Sequence, residues 1–324
     1  MKDNFFTGHF KILASASLGI MLIALILTLA GLGMNMGLDF TGGSLLSYDV
    51  GEVYDVSVVE AALAAEGVTE FMVTKSGVGE AQTGLQINTR DLGLDAEGVW
   101  AALEERLRES YPNIASSSNT VQYVSPRAGQ DIIRNAFTAC AIVFACMLIY
   151  IGIRFDFYSG MAAVVGLIHD VLIMCSFMVF FRGVYQVNSP FIAAALTIIG
   201  YSINNVIFVF DRIRENVKLP RFRDKPRMEL VESSVRATLS RAFNTTLTTL
   251  FTVVSVYVLG VPSIREFTFP LLVGMLSGAF TSLFLSSQMW AIWRDRGTFD
   301  GFLNLFRGRK AKGKVKVKAK AKKA

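Results

Sequence analysis

The chain has 324 residues, 52% of them hydrophobic and only 18% charged, a balance too apolar for an ordinary soluble domain and indicative of an integral membrane protein. Its formal charge of +6 is the difference between one acidic stretch and two basic ones, so it carries no nucleic-acid signal. Cys140, Cys146 and Cys175 all fall inside apolar runs, where no disulfide is expected and the spacing does not suit metal ligation.

Windows of roughly 19 residues find apolar runs of spanning length near 12–33, 136–153, 161–181, 190–210, 246–262 and 267–293. The fold class expected is a polytopic α-helical membrane protein with six transmembrane helices and one extracytoplasmic α+β domain. Lys2 and Lys11 precede the first run as in a signal peptide, but the run is long and no small-residue cleavage site follows. That predicts a retained anchor, with 1–33 comprising a cytoplasmic N-terminus and the first span.

Residues 34–131 then suffice for one small domain. Ser44–Val50 reads as a strand, and 56–66 as a short amphipathic helix with Asp55 as N-cap and Gly67 past its end. Thr69–Lys75 and Gly84–Thr89 read as a hairpin around Ser76-Gly77-Val78-Gly79. A helix from about Ala96 to Ser110 is stopped by Tyr111-Pro112-Asn113, and Thr120–Val124 closes the set. This β-α-β-β-α-β order predicts a ferredoxin-like sandwich.

Five further spans over 132–293 follow, the second and third joined by the tight turn Arg154–Gly160. Residues 211–241 hold nine Lys and Arg, and the tail from 294 to 324 holds twelve, whereas 34–131 holds five against fifteen Asp and Glu. The positive-inside rule therefore sets 34–131 outside and both termini in the cytoplasm of a cytoplasmic-membrane protein. The loop 211–241 is expected to begin and end as extensions of the flanking helices, and the lysine-rich tail to be disordered and to lie on anionic lipids.

Among the polar residues at membrane depth, Asn204 and Asn205 stand side by side in the fourth run. Unpaired amides are costly in hydrocarbon, so both are expected to face the bundle interior or a wet path. Asp170 sits mid-span and must be neutral, paired or hydrated; a structural role predicts Ser or Thr partners on span four or five. Its neighbour His169 is expected on another face, about 100° around the helix. Asp211, Arg212 and Arg214 read as a surface anchor. Thr245 lies on the face of Arg241, where it and Thr246, Thr248 and Thr249 either line water or bond carbonyls four residues back.

After the first span comes Gly37-Leu38-Asp39-Phe40-Thr41-Gly42-Gly43-Ser44, in which the glycines permit a sharp elbow and Asp39 and Thr41 are expected to bond local amides. This run resembles the signature shared by SecD and SecF of the Sec secretion machinery. Gly166-Leu167-Ile168-His169-Asp170-Val171, the stretch from Gly200 to Asn216, and Thr238-Leu239-Ser240-Arg241 resemble SecF rather than SecD. The resemblance covers the chain from the first span to Trp293.

It implies an accessory subunit of the preprotein translocase, not an enzyme, that uses an ion gradient and needs no cofactor or metal. Its implied partners are a SecD-like subunit, the SecY/SecE/SecG channel, YajC and the translocating preprotein. The family belongs with the resistance-nodulation-division pumps, in which carboxylates and an arginine relay protons. The arginine maps onto Arg241 and the SecF carboxylate onto position 205, where this chain carries Asn205. The relay candidates are therefore Asp170, Asn204, Asn205, Asp211 and Arg241. An amide does not titrate in the physiological range, so any relay must rest on the partner or on Asp170.

Glu232, Ala237 and the run Gly278-Ala279-Phe280-Thr281-Ser282 also depart from the family pattern. Two other function classes remain at this stage: a small-molecule or lipid pump of the same superfamily, and a translocon scaffold without ion coupling. Superfamily pumps carry much larger outer insertions, and Asn205 favours the scaffold.

Overall fold

The computed structural model describes residues 5–69, 71–76, 83–89 and 97–300. Residues 77–79 of the expected hairpin turn and residues 301–324 of the basic tail lie outside the described residues. One helical turn, α1 (Phe5–Gly8), leads into α2 (Phe10–Leu27), which continues through a wider turn to Leu32. The chain then passes a short helix, α3 (Leu38–Thr41), and enters an α/β unit.

That unit runs β1 (Gly43–Asp49), α4 (Val56–Ala65), β2 (Phe71–Ser76), β3 (Gly84–Thr89), α5 (Glu97–Ser110) and β4 (Ala115–Val124). Its sheet has the order β2-β3-β1-β4, and every pair is antiparallel, with Leu46 opposite Ile87 and Val121. Strand β4 begins five residues before the expected Thr120: Ala115 pairs with Asp49, and the register shifts between that pair and Ser47 with Thr120. Asp55 caps α4 by accepting from the Ser57 N–H at 3.0 Å. Leu63, Leu85, Ile87, Leu103 and Leu107 are fully buried between helices and sheet, each stabilising the unit by about 1.5–3 kcal/mol relative to exposure.

Five more long segments follow: α6 (Pro126–Arg154), α7 (Phe157–Phe180), α8 (Ser189–Val217), α9 (Arg227–Leu259) and α10 (Pro262–Thr281), the last extended by a widened turn at Ser282–Ser286 into α11 (Ser287–Arg296). Helix α6 starts ten residues before the apolar run, since the Ser125 hydroxyl accepts from the Ala128 N–H and Pro126 fits the first helical turn. Only 218–226 connects α8 to α9, so most of the basic loop is helical, as its flanking patterns predicted. Asp156 caps α7 at the Ser159 N–H, and Gly297, at φ +60°, ends α11.

The six helical segments long and apolar enough to cross a bilayer make this a multi-pass membrane protein. Helices α7, α8 and α10 form the interior, while α2, α6 and α9 leave most of their apolar surface facing outward. Lipid tails give helices no hydrophobic reason to associate, so close packing must hold the bundle together. Glycines supply it: a Cβ on Gly278 would lie 2.7 Å from Ser202 Oγ, and one on Gly166 would collide with Ser286 Oγ.

The α/β unit is stitched to the bundle where the first span ends. Val187 N–H donates to Asn35 O at 2.8 Å and Gly37 N–H to Val187 O at 2.9 Å, a short parallel pairing centred on Met36 and Val187. Asp39 bonds a distant amide, not the local one expected: its carboxylate accepts from Ser189 N–H at the start of α8. The Thr41 hydroxyl stays local but donates to carbonyls, those of Gly37 and Gly42. Asn188 beside this junction donates to Glu266 Oε2 at 2.9 Å, tying in α10.

Candidate functional site

Asp170 lies on α7 with no exposed surface. Three hydroxyls surround it: Ser202 Oγ of α8 at 2.5 Å from Oδ2, and Ser277 Oγ and Thr281 Oγ1 of α10 at 2.7 and 2.6 Å from Oδ1. Span four supplies one partner, within the expectation of span four or five, and span six supplies the other two, which lie outside it. The reason is positional, because α10 packs between α7 and α8 while α9 sits outside. Ser277 and Thr281 are one turn apart and so face the same carboxylate.

His169, next along α7, reaches the same cluster. Its Nδ1 lies 3.0 Å from Thr281 Oγ1 and 3.5 Å from Asp170 Oδ1. A proton assigned to Nδ1 donates to Thr281, whose own hydroxyl then donates to Asp170. Gly166 and Gly278 make this cluster possible by letting three helices approach without side chains between them.

Asn205 lies one turn beyond Ser202 on the buried face of α8, fully inaccessible, and neither its Oδ1 nor its Nδ2 has a hydrogen-bond partner. Asn204, by contrast, is exposed on the outer face of the bundle. The two adjacent amides were expected to share one environment, and the structure separates them because consecutive helical residues diverge by about 100°.

Arg241 is exposed on α9, with its guanidinium 3.8 Å from the centre of the Phe208 ring. It shares a cleft of about 580 Å³ with Asp211, Arg212 and Glu215. Asp211 is already engaged there, its Oδ1 lying 3.3 Å from Arg154 Nη2. Asp170 and Asn205 do not line this cleft. Thr248 and Thr249 bond carbonyls four residues back, whereas the buried Thr246 hydroxyl has no partner.

Sequence reasoning foresaw a span-four hydroxyl without naming Ser202, and it missed Ser277 and Thr281. The available signal was the pair Ser277 and Thr281 at i, i+4 in an apolar helix. It also missed that polar residues on the outward sides of α8 and α9 are exposed. Thr197, Gly200 and Asn204 on α8 and Arg241, Asn244, Thr248, Thr252 and Ser255 on α9 are all exposed and follow helical spacing along one face of each helix. Among the described residues, His, Cys, Asp and Glu form no cluster suited to a metal.

A bundle of six apolar helices with a buried, hydroxyl-bound carboxylate between three of them defines a polytopic membrane protein. Residues 103–296 match the family described as Protein export membrane protein SecD/SecF, C-terminal, and residues 28–50 match the SecD/SecF GG motif. The chain belongs to the SecD/SecF family.

Protein translocase subunit SecF of Alicyclobacillus acidocaldarius is 33% identical over 86% of this chain and 89% of its own length. Protein translocase subunit SecDF of Bacillus subtilis is 33% identical over 85% of this chain, which spans 36% of that longer protein. The crystal structure of SecDF from Thermus thermophilus, a translocon-associated membrane protein, superposes on 90% of this chain with a TM-score of 0.75 at 30% identity. The match covers 38% of that SecDF chain.

Proposed function

We propose that this chain is the SecF-type subunit of an accessory complex of the preprotein translocase, promoting export across the cytoplasmic membrane with a SecD-like partner and a proton or sodium gradient. The observation that carries the reading is the polar face of α8 and α9. Lipid cannot satisfy Asn204, Asn244 and Arg241, so a second polytopic protein is their natural neighbour. Relatives in which SecD and SecF form one chain support the same partner.

In this reading residues 34–131 are an extracytoplasmic ferredoxin-like domain, a proposal supported by the strand order β2-β3-β1-β4. Residues 132–293 are the remaining bundle. Both termini are cytoplasmic, the basic tail 294–324 meets anionic lipid, and SecY/SecE/SecG, YajC and the preprotein are the wider partners. No bond-making chemistry is assigned.

Asn205 stays neutral, so it captures none of the roughly 2.3 kcal/mol per 100 mV that a charge crossing the membrane field releases. The relay then rests on a partner carboxylate meeting Arg241 across the polar face, with Asp170 as the internal alternative. Arg241 stabilises that carboxylate while it is charged and releases it once protonated.

The test is gradient-dependent export in vesicles for Arg241→Ala and Asn205→Asp. Arg241→Ala should abolish the gradient-dependent part, and Asn205→Asp should raise it. A scaffold without coupling, the reading that neutral Asn205 favours, predicts that Arg241→Ala leaves export untouched while SecD still copurifies.

A further inference from the structure

At the opposite side of α8 from the polar face, a second cleft of about 250 Å³ opens at the basic end of the bundle. Its floor is apolar, formed by Phe210, Ile213 and Trp290, and its rim carries Arg214, Lys218, Arg227 and Arg294. We propose that this cleft binds a phosphate-bearing anion, supplied in the membrane by the headgroup of an anionic phospholipid.

Charge supports the assignment first. Arg294 is paired with Asp156 and Arg227 with Asp295, so the acidic groups at the rim are neutralised. Arg214 gives one hydrogen bond to Arg154 O at 3.1 Å and has no ion pair among the described residues. Lys218 has no ion pair or side-chain hydrogen bond among the described residues. Two free cations therefore flank an acid-neutralised pocket, which is the electrostatic requirement for a single phosphodiester.

The second observation is independent of charge. Trp290 is 5% exposed, lines the same cleft, and its Nε1–H has no acceptor. The Nε1 atom itself has no surface open to the cleft, so the indole contributes its ring to the apolar floor, where the carbon atoms next to a headgroup would pack.

Position selects lipid over a soluble anion. The cationic rim is made of helix ends, with Arg214 in the last turn of α8, Arg294 in that of α11 and Arg227 at the start of α9. These are the levels at which spanning helices leave hydrocarbon, and basic pockets between helix ends there hold lipid headgroups. The apolar floor receives the first carbons of the glycerol and acyl region.

The test is native mass spectrometry of the full chain extracted from vesicles of phosphatidylglycerol mixed with phosphatidylcholine. The wild type should retain one phosphatidylglycerol selectively. The double variant Arg214→Gln, Lys218→Gln should lose that retention by on the order of tenfold, and Trp290→Phe should weaken it less. The pair Arg221→Gln, Arg223→Gln removes two charges from the same connection outside the cleft and should change nothing. The lysine-rich tail is present in every variant, so its lipid background cancels. Equal retention of the two lipids, or equal loss in both double variants, overturns the proposal. Displacement of the lipid by inorganic phosphate keeps the phosphate site but overturns its assignment to a headgroup.

Discussion

The Asp39 carboxylate accepts the Ser189 N–H at 2.8 Å across 150 residues of sequence. An acid at the exit of the first span therefore fastens the N-terminus of the helix that carries Asn205. Side-chain acceptors at helix starts contribute about 1 kcal/mol. Asp39→Ala should lower stability by about that amount, and Asp39→Asn, which keeps an acceptor oxygen, should recover most of it. Thermal unfolding in detergent measures both.

Gly278 and Gly200 are contrasting positions on the packed helices. A Cβ on Gly278 would meet Ser202 Oγ at 2.7 Å and Cβ at 3.0 Å, whereas one on Gly200 would meet nothing within 4 Å. Gly278→Ala should destabilise the bundle by about 1–3 kcal/mol through overpacking and should also displace Ser202 from Asp170. Gly200→Ala should be neutral or slightly stabilising, because it only removes backbone freedom. Unfolding midpoints of the two variants, measured side by side, check the contrast.

Glu232 secures the first residues of the chain. Its Oε2 accepts from Thr7 N–H at 2.9 Å and from the Thr7 hydroxyl at 3.2 Å, and its Oε1 lies 3.3 Å from Arg236. Glu232→Ala should free α1 with little effect on the spans, raising amide exchange at residues 5–8. Glu232→Gln keeps an acceptor and should preserve much of the protection.

The cap at Asp55 carries a pH dependence. The Ser57 backbone N–H, the largest cause, holds the Asp55 carboxyl below its usual value. With the folded value below the unfolded one, the cap contributes its full stability above the unfolded pKa, about 3.9. That stability is lost as pH falls through the folded value. Amide protection of residues 56–65 should therefore drop on acidification below about pH 4, and Asp55→Ser should cap the helix without this dependence.

Span number and the order of elements in the α/β unit were legible because each rests on local periodicity and composition. So were the capping of α4 by Asp55 and the helical extension of the basic loop. What stayed hidden depends on contacts between distant segments. Asp39 looked like a local turn residue because sequence does not reveal that 187–189 lies beside it. Ser277 and Thr281 looked like ordinary hydroxyls until α10 was seen beside α7. Asn204 and Asn205 formed one feature in sequence, yet an α-helix turns adjacent residues towards different neighbours.

The pairing of Asn35 and Gly37 with Val187 has a mechanical consequence. The segment leading into the α/β unit is bonded to the residues just before α8, so displacing that segment would either break two backbone hydrogen bonds or pull on the start of α8. Asp39 adds a side-chain bond to the same joint, made to the helix whose Ser202 hydroxyl holds Asp170.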